Sequence, residues 1–132
     1  MKNTAVVDTN VIIRYLVGDH PEHFHRAVSF WNEVKSGQQR AFLPESVLAE
    51  TVYVLLKIYR VPRLKIAENL LGLLSYKGLV GEIGLFRRAL EIFAARKIDI
   101  VDALVLSWAE VKGYQIASFD RDVSKGYFHE TS

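Results

Sequence analysis

Four carboxylates stand among apolar residues at separate places along the chain. They are Asp8 after AVV, Glu50 within VLAETVYVLL, Asp102 within IDIVDALVL, and Asp120 after QIASF. Burying an ionised carboxylate costs several kcal/mol unless a cation or a metal ion compensates its charge. Each one alone is more simply explained as a helix cap or as the partner of a buried arginine. Together they outnumber the basic residues in comparably apolar surroundings, of which Arg14 and Lys57 are the nearest, and they predict a shared divalent cation.

The chemistry of such a site follows from its ligands. Oxygen ligands alone favour Mg²⁺ or Mn²⁺ over zinc, which prefers imidazole and thiolate. The chain has no cysteine, which excludes zinc–thiolate sites and thiol nucleophiles. A cation held by carboxylates lowers the pKa of a bound water and neutralises charge that builds on a phosphoryl group. The carboxylates therefore predict metal-assisted phosphodiester hydrolysis without a covalent intermediate.

Short apolar segments alternate with helical patterns and would position these carboxylates. This order is typical of an α/β fold with a parallel sheet and helices on both faces. Ligands bind at the carboxyl ends of such strands, where Asp8 and Asp120 are expected. Glycine residues interrupt the predicted third strand. The helix at 46–59 is expected to be mostly buried. The tail from Val123 could add an edge strand. The predicted strands are 5–7, 41–43, 79–83 and 114–118, and the predicted helices are 11–17 (after Thr9 and Asn10), 21–36, 46–59, 63–74, 85–96 and 99–112.

Length and composition describe an ordinary soluble protein. The 132 residues suit one domain, 1–132, and half of them are hydrophobic. Seventeen basic and fifteen acidic residues leave a net charge of +2, which permits a nucleic-acid partner without requiring one. The N-terminus is too short for a signal-peptide core, and no apolar run is long enough to span a membrane. A cytoplasmic protein without a membrane partner is expected.

Four sequence blocks resemble the PIN-domain family, in particular the VapC-like toxins of prokaryotic toxin–antitoxin pairs. VVDTNVII supplies the first acid, Asp8, with Asn10 as the polar residue that steadies it. SVLAETVYVL places Glu50 at the second acidic position, and IDIVDALVLSWA places Asp102 at the third, with Asp99 one helical turn before it. The fourth block, QIASFDRD, has Ser118 in place of a threonine and Asp120 as the acid. The blocks follow one another in the order of the family and cover essentially the whole chain.

The resemblance implies a three-layer α/β/α fold and endoribonuclease activity that depends on Mg²⁺ or Mn²⁺. It also implies an RNA substrate, homodimerisation and inhibition by a cognate VapB-like antitoxin. Under this hypothesis Asp8 and Asp102 contact the metal directly, while Glu50 and Asp120 bind through water or orient the attacking water. The tail after Asp122 lacks the phenylalanine often found two residues past the fourth acid, which concerns local packing.

Several polar residues have two interpretations each. Asn10 and Ser118 could position the metal ligands by hydrogen bonds, but both also suit strand-to-helix turns. Asp99 could hold the metal or support its ligands, but it suits a helix N-cap at least as well. Asp122 is interpreted as a loop carboxylate. Solvated surface is the simpler explanation for the cations that could meet RNA phosphates (Arg14, Lys112, Arg121 and Lys125) and for the histidines (His20, His23, His25 and His129). The predicted helices carry more apolar residues than a domain of this size obviously needs. This apolar surplus could form a dimer or antitoxin groove or belong to the core (Phe30, Trp31, Tyr53, Leu56 and Tyr59).

Three other functions remain open. The chain could be a PIN-like RNA-processing nuclease outside a toxin–antitoxin pair, or a non-catalytic PIN-like interaction module. Loss of one of the four acids would favour the module, and all four are present. A phosphatase with an aspartyl-phosphate intermediate is disfavoured, because Asn10 stands where the second aspartate of that motif would be needed.

Overall fold

A computed structural model describes residues 3–120, 123–124 and 127–128. In that part of the chain, short strands alternate with helices, and the third helix continues directly into a π-helical turn. The elements are β1 (Ala5–Val6), α1 (Thr9–Val17), α2 (Pro21–Ser36), β2 (Ala41–Phe42), α3 (Glu45–Tyr53), the π-helical turn (Val54–Ile58), α4 (Arg63–Leu74), β3 (Leu79–Val80), α5 (Ile83–Ala95) and α6 (Ile100–Lys112). No helix within these ranges has the length and apolar character needed to cross a bilayer.

The three strands form one parallel sheet in the order β1-β2-β3. Ala41 is paired with Ala5 on one side and with Leu79 on the other. The hydrogen bonds continue past the strand ends, since the Val7 amide donates to Phe42 O at 3.0 Å. Parallel strands require crossover connections, and here helices provide them. The expected α/β fold with a short parallel sheet is confirmed.

The predicted fourth strand at 114–118 is wrong. These residues have no strand conformation, and the Ser124 hydroxyl donates to Ile116 O at 2.9 Å where a strand would have ladder bonds. A short apolar run cannot by itself specify the neighbour that a strand needs. The third strand ends at Val80 because Gly81 turns the backbone at a φ of 149°. Residues 123–124 and 127–128 are not strands either, and the rest of the tail lies outside the described residues.

The helix predicted at 46–59 is neither regular throughout nor mostly buried. After Tyr53 it widens into the π-helical turn, in which the Tyr59 amide donates to Val54 O at 3.1 Å. Tyr53 and Ile58 are exposed, whereas Leu55 is buried. Apolar composition all round a helix predicted burial, but one side of this helix faces an open cleft. The first helix begins at Thr9, one of the two residues expected to start it, with Asp8 as its N-cap.

The core is organised around Trp31 of α2, which is completely buried. Its indole N–H donates to Val11 O at 3.0 Å, so the side chain ties α2 to the first helical turn after β1. The Tyr15 ring stacks on it, with ring centroids 5.8 Å apart. Phe30 meets the same indole edge to face at 5.2 Å. Trp31 therefore belongs to the core, and of the predicted apolar surplus Tyr53 is the exposed member.

Two glycines offer a matched test of packing. A Cβ on Gly78 would lie 2.1 Å from the carbonyl oxygen of Gln39 and 2.9 Å from that of Val34, whereas a Cβ on Gly72 in α4 meets nothing within 4 Å. Gly78→Ala is therefore expected to lower the free energy of unfolding by roughly 2–3 kcal/mol. Gly72→Ala is expected to raise it by roughly 0.5–1 kcal/mol. Urea unfolding measures both, and equal stabilities would contradict the close approach at Gly78.

Candidate active site

An open cleft of about 670 Å³ lies between the outer side of α3 and the start of α6. Three acidic side chains line it: Glu50 from α3, and Asp99 and Asp102 from the beginning of α6. Asp102 lies in the first turn of its helix, where the helix dipole stabilises a negative charge. The cleft therefore collects carboxylates from elements about fifty residues apart in sequence.

The junction of β1 and α1 joins this site through Thr9. The buried hydroxyl of Thr9 donates a hydrogen bond to Oε1 of Glu50. Its neighbour Asp8 caps α1, because its Oδ1 accepts the Val11 amide at 3.3 Å. Asp8, the first predicted acid, is therefore the chain neighbour of the residue whose side chain contacts Glu50, the second.

The expected burial of the four acids is wrong. Asp8, Glu50 and Asp120 are exposed, and Asp102 is half-buried. Apolar neighbours in sequence do not bury a carboxylate when they point to the opposite side of the same helix or turn. Desolvation therefore does not by itself require a metal here. The observation that favours a cation is that three acids from two separate elements line one cleft, where a cation would balance their like charges.

Asp99 occupies the N-cap position of α6 without using its side chain as a cap. Its backbone oxygen accepts the Ala103 amide at 3.0 Å, and the residue lines the cleft. Asp99 therefore occupies the N-cap position, but its side chain does not cap the helix. Asp99 and Asp102 line the same cleft.

The structure does not bring every predicted site residue to the cleft. Asp8 is not among the residues that line the cleft. Asp120 and Ser118 lie in a turn where the Asp120 amide donates to Ser118 Oγ at 3.0 Å, and neither of them lines the cleft. Asn10 lines a different groove of about 390 Å³ beside β1, together with Arg14 and Arg26. Arg121, Asp122, Lys125 and His129 lie outside the described residues.

The donor chemistry of the cleft suits a hard cation. Its potential ligands are carboxylate oxygens, which Mg²⁺ and Mn²⁺ prefer. Among the residues with described positions, no three carboxylate or imidazole side chains lie close enough together to hold an ion. Mg²⁺ is commonly bound by one or two carboxylates, with water and substrate phosphate completing its shell. The acids that line this cleft therefore supply the kind and number of oxygen donors that such an ion takes from a protein.

Comparison with known proteins identifies the family. The family model described as "PIN domain" matches residues 5–128, which is nearly the whole chain. The chain belongs to the PIN-domain family. This PIN domain is also similar to a protein named VapC ribonuclease from Aquifex aeolicus (strain VF5), with 28% identity over 122 residues that cover 91% of this chain and 90% of the relative. No solved structure matches the chain.

Arg63 anchors the loop of the PIN domain that leads to Asp99 and into α6, the helix that contains Asp102. Its Nη1 donates to three carbonyl oxygens at the end of α5 and in the loop after it, at 3.2 Å to Phe93, 3.1 Å to Arg96 and 2.8 Å to Ile98. The guanidinium also lies over the Phe93 ring at 4.3 Å. One side chain thus satisfies carbonyls that the end of a helix leaves without partners.

Arg63→Met is expected to lower the free energy of unfolding by about 2–3 kcal/mol, because it leaves those carbonyls without their charged donor. Arg63→Lys retains a cation with three donors and is expected to lose less. Urea unfolding measures the stability, and amide hydrogen exchange of residues 97–103 measures the order of the loop. Unchanged exchange in Arg63→Met would contradict the anchoring role.

Two of the cations that could meet RNA phosphates, and for which solvated surface was the simpler explanation, already have acidic partners in the PIN domain. Arg14 contacts Asp19 at 3.4 Å, and the hydrogen bond from Tyr59, with a smaller contribution from Arg14, lowers the pKa of Asp19. Lys112 lies 3.8 Å from Glu82. The sequence analysis did not place two residues of the cleft, Tyr53 and Lys57, beside the acids. Their spacing from Glu50, at i+3 and i+7, was the available signal, because such positions share a helix face.

Proposed function

We propose that this PIN domain is a metal-dependent endoribonuclease and the toxin of a VapBC-like toxin–antitoxin pair. The observation that carries the proposal is the meeting of family acids from separate elements, with Glu50, Asp99 and Asp102 on one cleft and Asp8 linked to Glu50 through Thr9. The resemblance to a VapC ribonuclease supports the choice of RNA. We further propose that residues 1–132 form one domain that acts in the cytoplasm.

In this proposal the four acids have distinct roles. Asp8 and Asp102 contact Mg²⁺ or Mn²⁺ directly, and Glu50 and Asp120 bind through water or orient the attacking water. The bound cation supplies a more acidic water and neutralises charge on the phosphoryl group. Thr9 holds Glu50 in one orientation, so that the second oxygen of this carboxylate can orient water and accept its proton. Asp99 lines the cleft with Asp102 and would help to hold the cation there. Ser118 accepts the Asp120 amide and would orient that acid, and Asn10 would steady the turn after Asp8.

Cleavage assays with defined RNAs test the proposal directly. We expect cleavage in Mn²⁺ or Mg²⁺, loss of cleavage in excess EDTA, and recovery when the cation is added back. The Asp8→Asn protein is the control, because asparagine can retain the N-cap of α1 while removing the charge. RNA binding without cleavage in any divalent cation would instead indicate the non-catalytic interaction module.

The partners form the second part of the proposal. A VapB-like antitoxin is expected to bind the toxin and block cleavage, and the toxin is expected to form a homodimer. Inhibition by the product of a small neighbouring gene would support the toxin–antitoxin assignment. A nuclease that no such product inhibits would be an RNA-processing enzyme outside a toxin–antitoxin pair. Light scattering of the isolated protein measures the dimer.

A further inference from the structure

The groove beside β1 differs from the carboxylate cleft in its charge and in its walls. Its volume of about 390 Å³ lies within the usual range of small-molecule sites. Among the residues with described positions, none lines both the groove and the cleft. The described lining of the groove includes the basic residues Arg14, His23 and Arg26 and no acidic residue. The groove is therefore a separate site with a preference for negative charge.

The walls of the groove are apolar. The order β1-β2-β3 places β1 at one edge of the described sheet, and Val6 of this strand is 70% exposed. Val11 of α1 and Phe30 of α2 line the groove beside it. An apolar group that covers such a surface gains free energy by removing it from water. The groove therefore favours a ligand with an apolar body.

The two arginines of the groove have donors that other side chains do not occupy. Arg26 is exposed and forms no ion pair within the described part of the chain. Arg14 uses Nη1 for Asp19 and for the Tyr59 hydroxyl, both at 3.4 Å, whereas its buried Nε–H has no acceptor among the described residues. A buried donor without an acceptor destabilises a protein. An acceptor that enters the groove beside Arg14 would supply the missing partner.

We propose that the groove beside β1 binds a small amphipathic anion, namely a carboxylate on an apolar body. The carboxylate lies between Arg14 and Arg26, because the planar guanidinium group matches the two oxygens of a carboxylate. The apolar body lies along Val6, Val11 and Phe30. A phosphodiester of RNA suits these walls less well, because they would desolvate its polar groups without giving them partners. This site is independent of the proposed ribonuclease function and goes beyond it.

A pair of fluorescent dyes tests both features of the site. Anilinonaphthalene sulfonate joins an anionic group to an aromatic body and becomes bright in apolar surroundings, and phenylnaphthylamine has the same body without the charge. We expect the folded protein to bind the sulfonate dye at a single site and more tightly than the neutral dye. Circular dichroism verifies that the protein stays folded, since loosened proteins also bind such dyes. Equal affinities for the two dyes would overturn the role of the arginines.

Substitution of Arg26 locates the bound dye. Arg26→Gln is expected to weaken binding of the sulfonate dye roughly 3- to 10-fold and to leave the affinity for the neutral dye unchanged. Arg26→Lys retains the charge and is expected to lose less. Arg87→Gln is the matched control, since Arg87 is an exposed arginine of α5 that does not line the groove. The same sulfonate affinity in Arg26→Gln and Arg87→Gln would show that the dye binds elsewhere and would overturn the site.

Competition against the sulfonate dye identifies the class of ligand. Octanoate is expected to displace the dye, whereas acetate and octanol at the same concentration displace much less, because each lacks one of the two features. Displacement by a short RNA but not by octanoate would make the groove an RNA contact and overturn the proposal. Displacement by none of these compounds would show binding of the dye only and would overturn it as well. These measurements do not involve RNA cleavage, so their failure is distinguishable from failure of the proposed ribonuclease.

Discussion

Replacing Asp102 by asparagine is expected to lower kcat for metal-dependent RNA cleavage by roughly 10²–10³-fold and to leave the fold intact. Asn has nearly the same shape as Asp but has no charge to hold a cation. Asp102 is half-buried in the first turn of α6 and lines the cleft with Glu50. Glu50→Gln is expected to have an effect of the same order, because Thr9 can still donate to the amide oxygen while the charge is lost.

Calorimetric binding of Mn²⁺ and the rate of RNA cleavage measure this prediction together. Glu68→Gln serves as the control, since Glu68 is an exposed acid of α4 that does not line the cleft. Circular dichroism of each variant verifies the fold. Full activity in both Asp8→Asn and Asp102→Asn would refute the assignment of these acids to the metal site.

Trp31→Ala is expected to give the largest loss of stability, about 3–5 kcal/mol in the free energy of unfolding. Trp31 is completely buried, and its removal leaves a cavity that its neighbours Tyr15 and Phe30 cannot fill. It also removes the indole hydrogen bond to the carbonyl oxygen of Val11, which adds the loss of one interaction between α2 and α1. That carbonyl lies three residues after Asp8, so the loss also loosens the junction of β1 and α1.

Denaturant unfolding of a small set of variants measures the effect. Trp31→Phe retains a ring and is expected to lose less than Trp31→Ala. Trp108→Ala is a second control, because Trp108 is only half-buried although its indole donates to Glu45 at 2.7 Å. A loss below about 1 kcal/mol for Trp31→Ala would contradict the central place of this side chain in the core.

Local sequence was sufficient for much of the fold. The helix predicted at 63–74 is α4 as observed, and α6 ends at Gly113, whose φ of 72° is a conformation that glycine adopts without strain. The first two strands were also found where predicted, one residue shorter each. These features depend on residues close in sequence, namely a helical apolar period, a glycine stop, or a short apolar run. The four acidic blocks identified the PIN family for the same reason, since each is a contiguous motif.

The site depended more strongly on contacts between distant residues. The Thr9 hydroxyl bonds to Glu50, and Arg63 anchors the loop before Asp99, so both contacts join residues far apart in the chain. The cleft likewise forms between α3 and α6, which are separated in sequence. Sequence neighbours alone predicted buried acids and a fourth strand at 114–118, and both predictions were wrong.

Local sequence was enough to indicate the family and the positions of most helices, and to single out four candidate acids. Only the packing of the elements shows which acids share a cleft, that Glu50 and Asp99 are exposed while Asp102 is half-buried, and that Tyr53 and Lys57 line the same cleft. The physical reason is that helix propensity and periodicity act within a few residues, whereas burial and charge proximity depend on how separate elements pack.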